Sequence, residues 1–219
     1  MHRLTAVLLI VPCAVACAQR AATTTPRVER EVRGKTIVSN ALPAADITIA
    51  DEFRYVGSQA VNIYGSADAE QHLFVAGPPG RVERLYWVQF EHYLPTNNDT
   101  YDYRPDRTTE IGGLQFIYDV ATISDYAGAP RDPRSDGAAV IALLAKQNLA
   151  LPAKAARVRM IHLPSADRRS ELMIIYGEAL PPESRTPVSA EGTSLDTESP
   201  AEAKLFLDRA VRGLTIRRH

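Results

Sequence analysis

Six runs rich in β-branched and aromatic residues, each cut off by Gly, Pro or Asn/Asp clusters, constrain this chain more than any other feature. They cover 53–64, 70–76, 82–94, 114–123, 157–163 and 171–178, and Ile47 and Ile49 mark an earlier strand start. Two amphipathic helical stretches interrupt or follow them. The first begins after Ser135, a good N-cap residue, and runs to about Gln147 with Val140, Leu143 and Leu144 on one face; Asn148 and Pro152 end it. The second opens on the capping box Ser199-Pro200-Ala201-Glu202 and carries Leu205, Phe206, Ala210 and Val211 before Gly213. Strands first, then helix, hairpin and helix, predict an α+β fold: an antiparallel β-sheet with its two amphipathic helices packed mainly on one face.

The start of the chain reads as an address. Met1-His2-Arg3 is positively charged, Leu4 to Val15 is apolar, and small residues follow at Ala14, Ala16 and Ala18, which together predict a secretory signal peptide over 1–18. The apolar run is shorter than the roughly 20 residues a spanning helix needs, and Pro12 interrupts it. Two processing outcomes are open. Ala16-Cys17-Ala18 is a small-x-small cleavage site ending before Gln19, which gives a free exported protein. Ala14-Val15-Ala16-Cys17 resembles a bacterial lipobox, with Ala14 where that pattern prefers Leu, Val or Ile, which lipidates Cys17 and leaves a periplasmic protein touching a membrane only through its N-terminal lipid. Residues 19–45, rich in Thr, Ala and Arg, read as a flexible tether; 46–219 read as one domain, with a long surface loop near 181–199. Cys13 and Cys17 are the only cysteines, so the domain holds no disulfide or thiolate site and depends on its apolar core.

Charge and motifs then remove whole classes of function. With 25 Lys and Arg against 26 Asp and Glu, the chain lacks the basic surplus of a nucleic-acid binder, and no nucleic-acid partner is expected. Gly34-Lys35-Thr36 resembles the end of a phosphate loop, but Glu29 stands where that loop needs its first glycine. Neither Gly57-Ser58-Gln59 nor Gly65-Ser66-Ala67 completes a nucleophile elbow, and there is no His-Glu-x-x-His and no dinucleotide fingerprint. No cofactor is expected. Asn97, Asn98, Asp99, Asp102 and Asp106 gather hard oxygens in one loop, but their spacing fits no calcium loop; turns bonded to their own backbone account for them, and no metal is expected.

One surface remains worth attention. If Gly77-Pro78-Pro79-Gly80 forms a tight turn with Ala76 opposite Arg81, then Gln71, Leu73 and Val75 share a face with Tyr86, Arg84 and Val82, which Val88 and Phe90 continue. The other face carries Glu70 opposite Trp87, His72 opposite Leu85 and Phe74 opposite Glu83, and continues through Gln89, Glu91 and Tyr93. A loop with Tyr101 and Tyr103 folding over that face makes a groove of rings and carboxylates, a composition suited to a carbohydrate, a peptide or an envelope protein. The expected site is therefore Glu70, His72, Phe74, Trp87, Glu91, Tyr93, Tyr101 and Tyr103, on a non-enzymatic binding or structural module of the cell envelope. The competing account makes Trp87 a core residue and the tyrosines pins for the loop. A second class, an envelope hydrolase or isomerase, uses His72 with Glu70 or Glu91 as an acid–base pair.

Overall fold

The computed structural model describes residues 25–104, 107–124, 128, 131–181 and 200–219. The leader with Cys17, the capping residue Ser199 and nearly all of the 181–199 loop lie outside the described residues. The strands are β1 (Glu31–Arg33), β2 (Thr36–Ser39), β3 (Ala45–Ile49), β4 (Arg54–Ile63), β5 (Ala67–Ala76), β6 (Arg84–Tyr93), β7 (Thr108–Ile111), β8 (Leu114–Ser124), β9 (Lys154–His162), β10 (Ser170–Ala179) and β11 (Leu214–Arg218). Helix α1 spans Asp136–Lys146, between β8 and β9, and α2 spans Pro200–Arg212, between β10 and β11.

These strands form two open antiparallel sheets. Seven lie in the order β4-β5-β6-β10-β9-β8-β7, and four in the order β1-β2-β3-β11. Among the described residues strands make up 49% and helices 14%, so the expected α+β fold with one sheet is corrected to a mostly β architecture with two sheets. The helices also do not share a face. One apolar cluster joins Ile37, Ile47 and Ile216 of the small sheet to Phe74, Val88 and Ile174 of the large one, with Ala203, Leu207 and Ala210 of α2 beside them. The second cluster lies across the large sheet, where Val140, Leu143 and Leu144 of α1 meet Leu73, Val75, Leu85, Trp87 and Ile175. Strands β5, β6 and β10 are therefore covered on both sides, and each enclosed Leu, Ile or Phe contributes about 1.5–3 kcal/mol. In α2 the buried stripe is Ala203, Leu207 and Ala210, whereas Leu205, expected on the apolar face, is 58% exposed.

The segment read as a tether is folded in its described part. β1 and β2 form a hairpin around Gly34, which sits at φ +63°, and Ile37 is fully buried. Strands of three and four residues with charged neighbours carry too little periodicity to stand out; they hold because β2 pairs with β3 and β3 with β11.

Register decides which side chains meet. The pair that closes the β5–β6 hairpin is Ala76 with Arg84, not Arg81, so the partners are Glu70 with Phe90, His72 with Val88 and Leu73 with Trp87. The turn is longer than its Gly-Pro-Pro-Gly core because residues 80–82 leave the hairpin and bond Ala150: Ala150 N–H donates to Gly80 O at 2.9 Å and Val82 N–H to Ala150 O at 2.9 Å. The three-residue difference is odd, and an odd slip exchanges the two faces of one strand relative to the other.

Candidate functional site

The register change divides the expected surface in two. Glu70, His72 and Phe74 face the small sheet, and His72 and Phe74 are fully buried there. The Glu70–His72 pair exists, with Nε2 2.7 Å from Oε1, but the carboxylate is already saturated. Arg30 N–H donates to Oε1 at 2.9 Å, Glu29 N–H to Oε2 at 3.1 Å and the Arg30 guanidinium to Oε2 at 2.8 Å. The same guanidinium lies 3.6 Å from the centre of the Phe90 ring and also donates to Ser39 Oγ and Leu42 O. Burial opposes ionisation of Glu70, but the bonds from His72, the two backbone N–H groups and Arg30 outweigh it and hold the carboxyl at about 2. A shallow pocket of about 510 Å³ under residues 25–30 touches Glu70 and Phe90 but not His72. What the pair does in this setting is hold the N-terminal segment onto β5.

Trp87, Glu91, Tyr93, Tyr101 and Tyr103 come together on the opposite face. Trp87 is 5% exposed, packed in the cluster under α1, and donates Nε1–H to Gln89 Oε1 at 3.1 Å. Side-chain amides continue across three strands: Gln59 donates to Gln71 at 2.7 Å, Gln71 to Gln89 at 2.8 Å, and Gln89 to Glu91 at 2.6 Å. The loop after β6 folds over this row as expected. Tyr93 and Tyr101 stack at 4.4 Å, Tyr101 and Tyr103 at 6.1 Å, and the last two donate their hydroxyls to Glu91 and Glu171 at 2.7 Å each. Arg169 donates to the carbonyls of Leu94, Asn97 and Asp99, and Arg168 to that of Tyr101, so the loop is pinned along its backbone. Asn97 Oδ1 accepts from Asp99 N–H at 2.8 Å, a local turn bond; Asp106 lies outside the described residues.

Glu171 and Asp136 were not legible as members of this cluster. Glu171 pairs with Glu91 across β6 and β10, and Asp136 enters from the first turn of α1, whose N-cap Ser135 accepts from Ala138 N–H. Burial, then the Glu91 charge, pushes the Glu171 carboxyl up to about 8. Burial also raises Glu91 and Asp136; the Asp136 charge adds to the rise at Glu91, while bonds from Tyr101 and Gln89 to Glu91 and from Gly137 N–H to Asp136 work against it. Glu171 thus keeps its proton at neutral pH. Burial together with the adjacent glutamates lifts the Tyr101 and Tyr103 hydroxyls far above the usual tyrosine range, so they keep their protons and donate to the carboxyls. The cluster is hydrogen-bonded internally.

A space larger than the pocket under residues 25–30 lies at the end of the sandwich where β6 begins and β10 ends. A cleft of about 880 Å³ opens between the start of β4, the turn before β6, residues 150–152, the end of β10 and the last turn of α2. Its floor is aromatic: Phe53 meets Tyr86 edge-on at 4.8 Å, Tyr86 meets Tyr176 at 5.1 Å, and the Tyr86 hydroxyl donates to Ala210 O. Its rim is charged. Arg209 grips both oxygens of Glu178 at 2.7 and 2.9 Å, Tyr176 donates to Glu178 at 2.8 Å, and Arg84 lies 3.2 Å from Glu52. Sequence reading missed this site because five separate segments build it and none carries a motif. The one local signal was Arg209 and Arg212 together in the last turn of α2, a position that also suits the helix dipole.

No protein-family model, no curated protein and no solved structure matches the chain.

Proposed function

We propose that this is a non-enzymatic binding module of the bacterial cell envelope, exported by its leader, that holds one small amphipathic ligand in the cleft between β6, β10 and the end of α2. The observation that carries this reading is the cleft itself: about 880 Å³ of space with Leu151, Pro152, Leu180 and Pro181 on its wall, backed by three buried rings and rimmed by paired charges. Small-molecule sites have this character, with volumes of roughly 300–1,000 Å³, apolar and aromatic walls and a few polar groups that fix orientation. The floor is rigid, because Tyr86 is fastened to α2 and Tyr176 to Glu178, so little ordering cost opposes binding. The acidic and aromatic face expected from the sequence serves the fold in this reading, since its rings and carboxyls satisfy one another.

The test is equilibrium binding of an amphipathic dye to the exported chain, compared with a variant that fills the cleft. Ala179 lines it at the end of β10, and Ala179→Trp places a large ring in the space. Saturable binding at one site per chain, lost in this variant while its melting temperature stays near that of the parent, supports the reading. Dye binding unaffected by Ala179→Trp removes it.

A further inference from the structure

The charges around the cleft do not balance, and the imbalance names a ligand chemistry. Among the described residues, four arginines and three glutamates line it. Glu178 has both oxygens taken by Arg209, Glu52 is met by Arg84, and Glu83 lies 3.4 Å from Arg81. That leaves Arg212, exposed in the last turn of α2, as the lining cation with no ion-pair partner among the described residues. The rest of the wall is apolar, with Phe53, Val82, Leu151, Pro152, Leu180 and Pro181 along it.

Building on the cleft as the binding site, we propose that its ligand is an apolar chain ending in a single carboxylate, with the acid group on Arg212 and the chain along the accessible wall of Leu151, Pro152, Leu180 and Pro181. A guanidinium offers two parallel N–H donors that match the two oxygens of a carboxylate. One surplus cation balances one negative charge; a doubly charged phosphate would face three glutamates with its second charge unmet. The negative end of α2 does not oppose the acid, because Arg209 and Arg212 both sit on that last turn. A neutral chain gains the same wall contacts but leaves Arg212 without its partner.

Titration calorimetry of the exported chain with dodecanoate, dodecanol and dodecyl phosphate, each kept below its micelle concentration, tests this. The expected result is one dodecanoate per chain, with dodecanol bound about tenfold more weakly. Arg212→Ala should weaken dodecanoate by about the same factor and leave dodecanol unchanged, while Arg212→Lys recovers part of the loss. Equal binding of acid and alcohol, an Arg212→Ala variant that binds dodecanoate as the parent does, or tighter binding of the phosphate overturns the carboxylate assignment with the cleft still standing as a site. If none of the three binds, the cleft reading falls with it. Arg212 is exposed, so an unchanged melting temperature in its variants separates lost recognition from lost folding.

Discussion

Glu91 and Glu171 stand opposite one another on β6 and β10, each accepting a tyrosine hydroxyl at 2.7 Å, from Tyr101 and Tyr103 respectively. A buried acid facing a half-buried one cannot ionise cheaply beside it, and the proton settles on Glu171, which is held at about 8.

This has a consequence for stability against pH. Folding raises the Glu171 carboxyl from an ordinary 4.5 to about 8, so the folded state binds more protons than the unfolded one between those values. Stability therefore declines as pH rises through that window. Glu171→Gln keeps an oxygen for Tyr103 and removes the ionisation. The variant should match the parent near pH 4.5 and exceed it at pH 8 by on the order of 3 kcal/mol. Urea melts at the two pH values measure this; parallel curves for the two proteins at both would show that Glu171 does not titrate in this way.

The Arg30–Glu70 contact behaves in the opposite sense. Folding depresses the Glu70 carboxyl to about 2, so its contribution is complete above the unfolded value near 4.5 and is lost as pH falls toward 2. Arg30→Ala strips the carboxylate of its guanidinium and Phe90 of the ring contact, while His72 and two backbone N–H groups still hold Glu70, so the cost is about 1.5–3 kcal/mol, that of one charged hydrogen bond. It should also free residues 25–30 from β5. Limited proteolysis followed by N-terminal sequencing reads that release directly: new cleavage within 25–30 is expected, and protection equal to the parent's would contradict the latch.

Trp87 is a core residue by position. It lies under α1 with Val140 and Leu144 and is 5% exposed. Trp87→Ala removes the ring and leaves Gln89 short of one donor, and should cost about 3–5 kcal/mol. Chemical denaturation is the measurement, and a loss under 1 kcal/mol, in an order-of-magnitude sense, would mean the ring packs more loosely than its burial implies.

What was legible in the chain was whatever one segment settles alone. Alternation marks the central parts of β4, β5, β6, β8, β9 and β10, and Ser135 marks the start of α1, because both signals lie within a few residues of each other. The β5–β6 register was not legible, since residues 80–82 spend their hydrogen bonds on Ala150, far along the chain. Nor were β1 and β2, whose few residues become strands only beside β3, or the helix positions, which depend on the second sheet that β11 completes. The cleft is the extreme case, a meeting of sequence-distant ends.

Gly213 tests how that cleft is built. It ends α2 against the floor, and a Cβ there would sit 2.6 Å from the Tyr86 hydroxyl and 3.2–3.3 Å from its ring. The ring cannot give way freely, because it is fully buried between Phe53 and Tyr176 and its hydroxyl is bonded to Ala210 O. Gly213→Ala should therefore destabilise the protein by about 1–3 kcal/mol, the usual range for an overpacked core. Tyr86→Phe removes the atom in closest conflict and gives up one buried hydrogen bond, which costs about 1 kcal/mol by itself. Combined, the two changes should cost less than the sum of the single ones, because the second relieves the clash the first creates. Denaturation of the parent, both single variants and the double variant completes the cycle. Strict additivity would mean that the end of α2 moves away from Tyr86 instead of pressing on it, and the cleft floor would then be softer than its hydrogen bond to Ala210 implies.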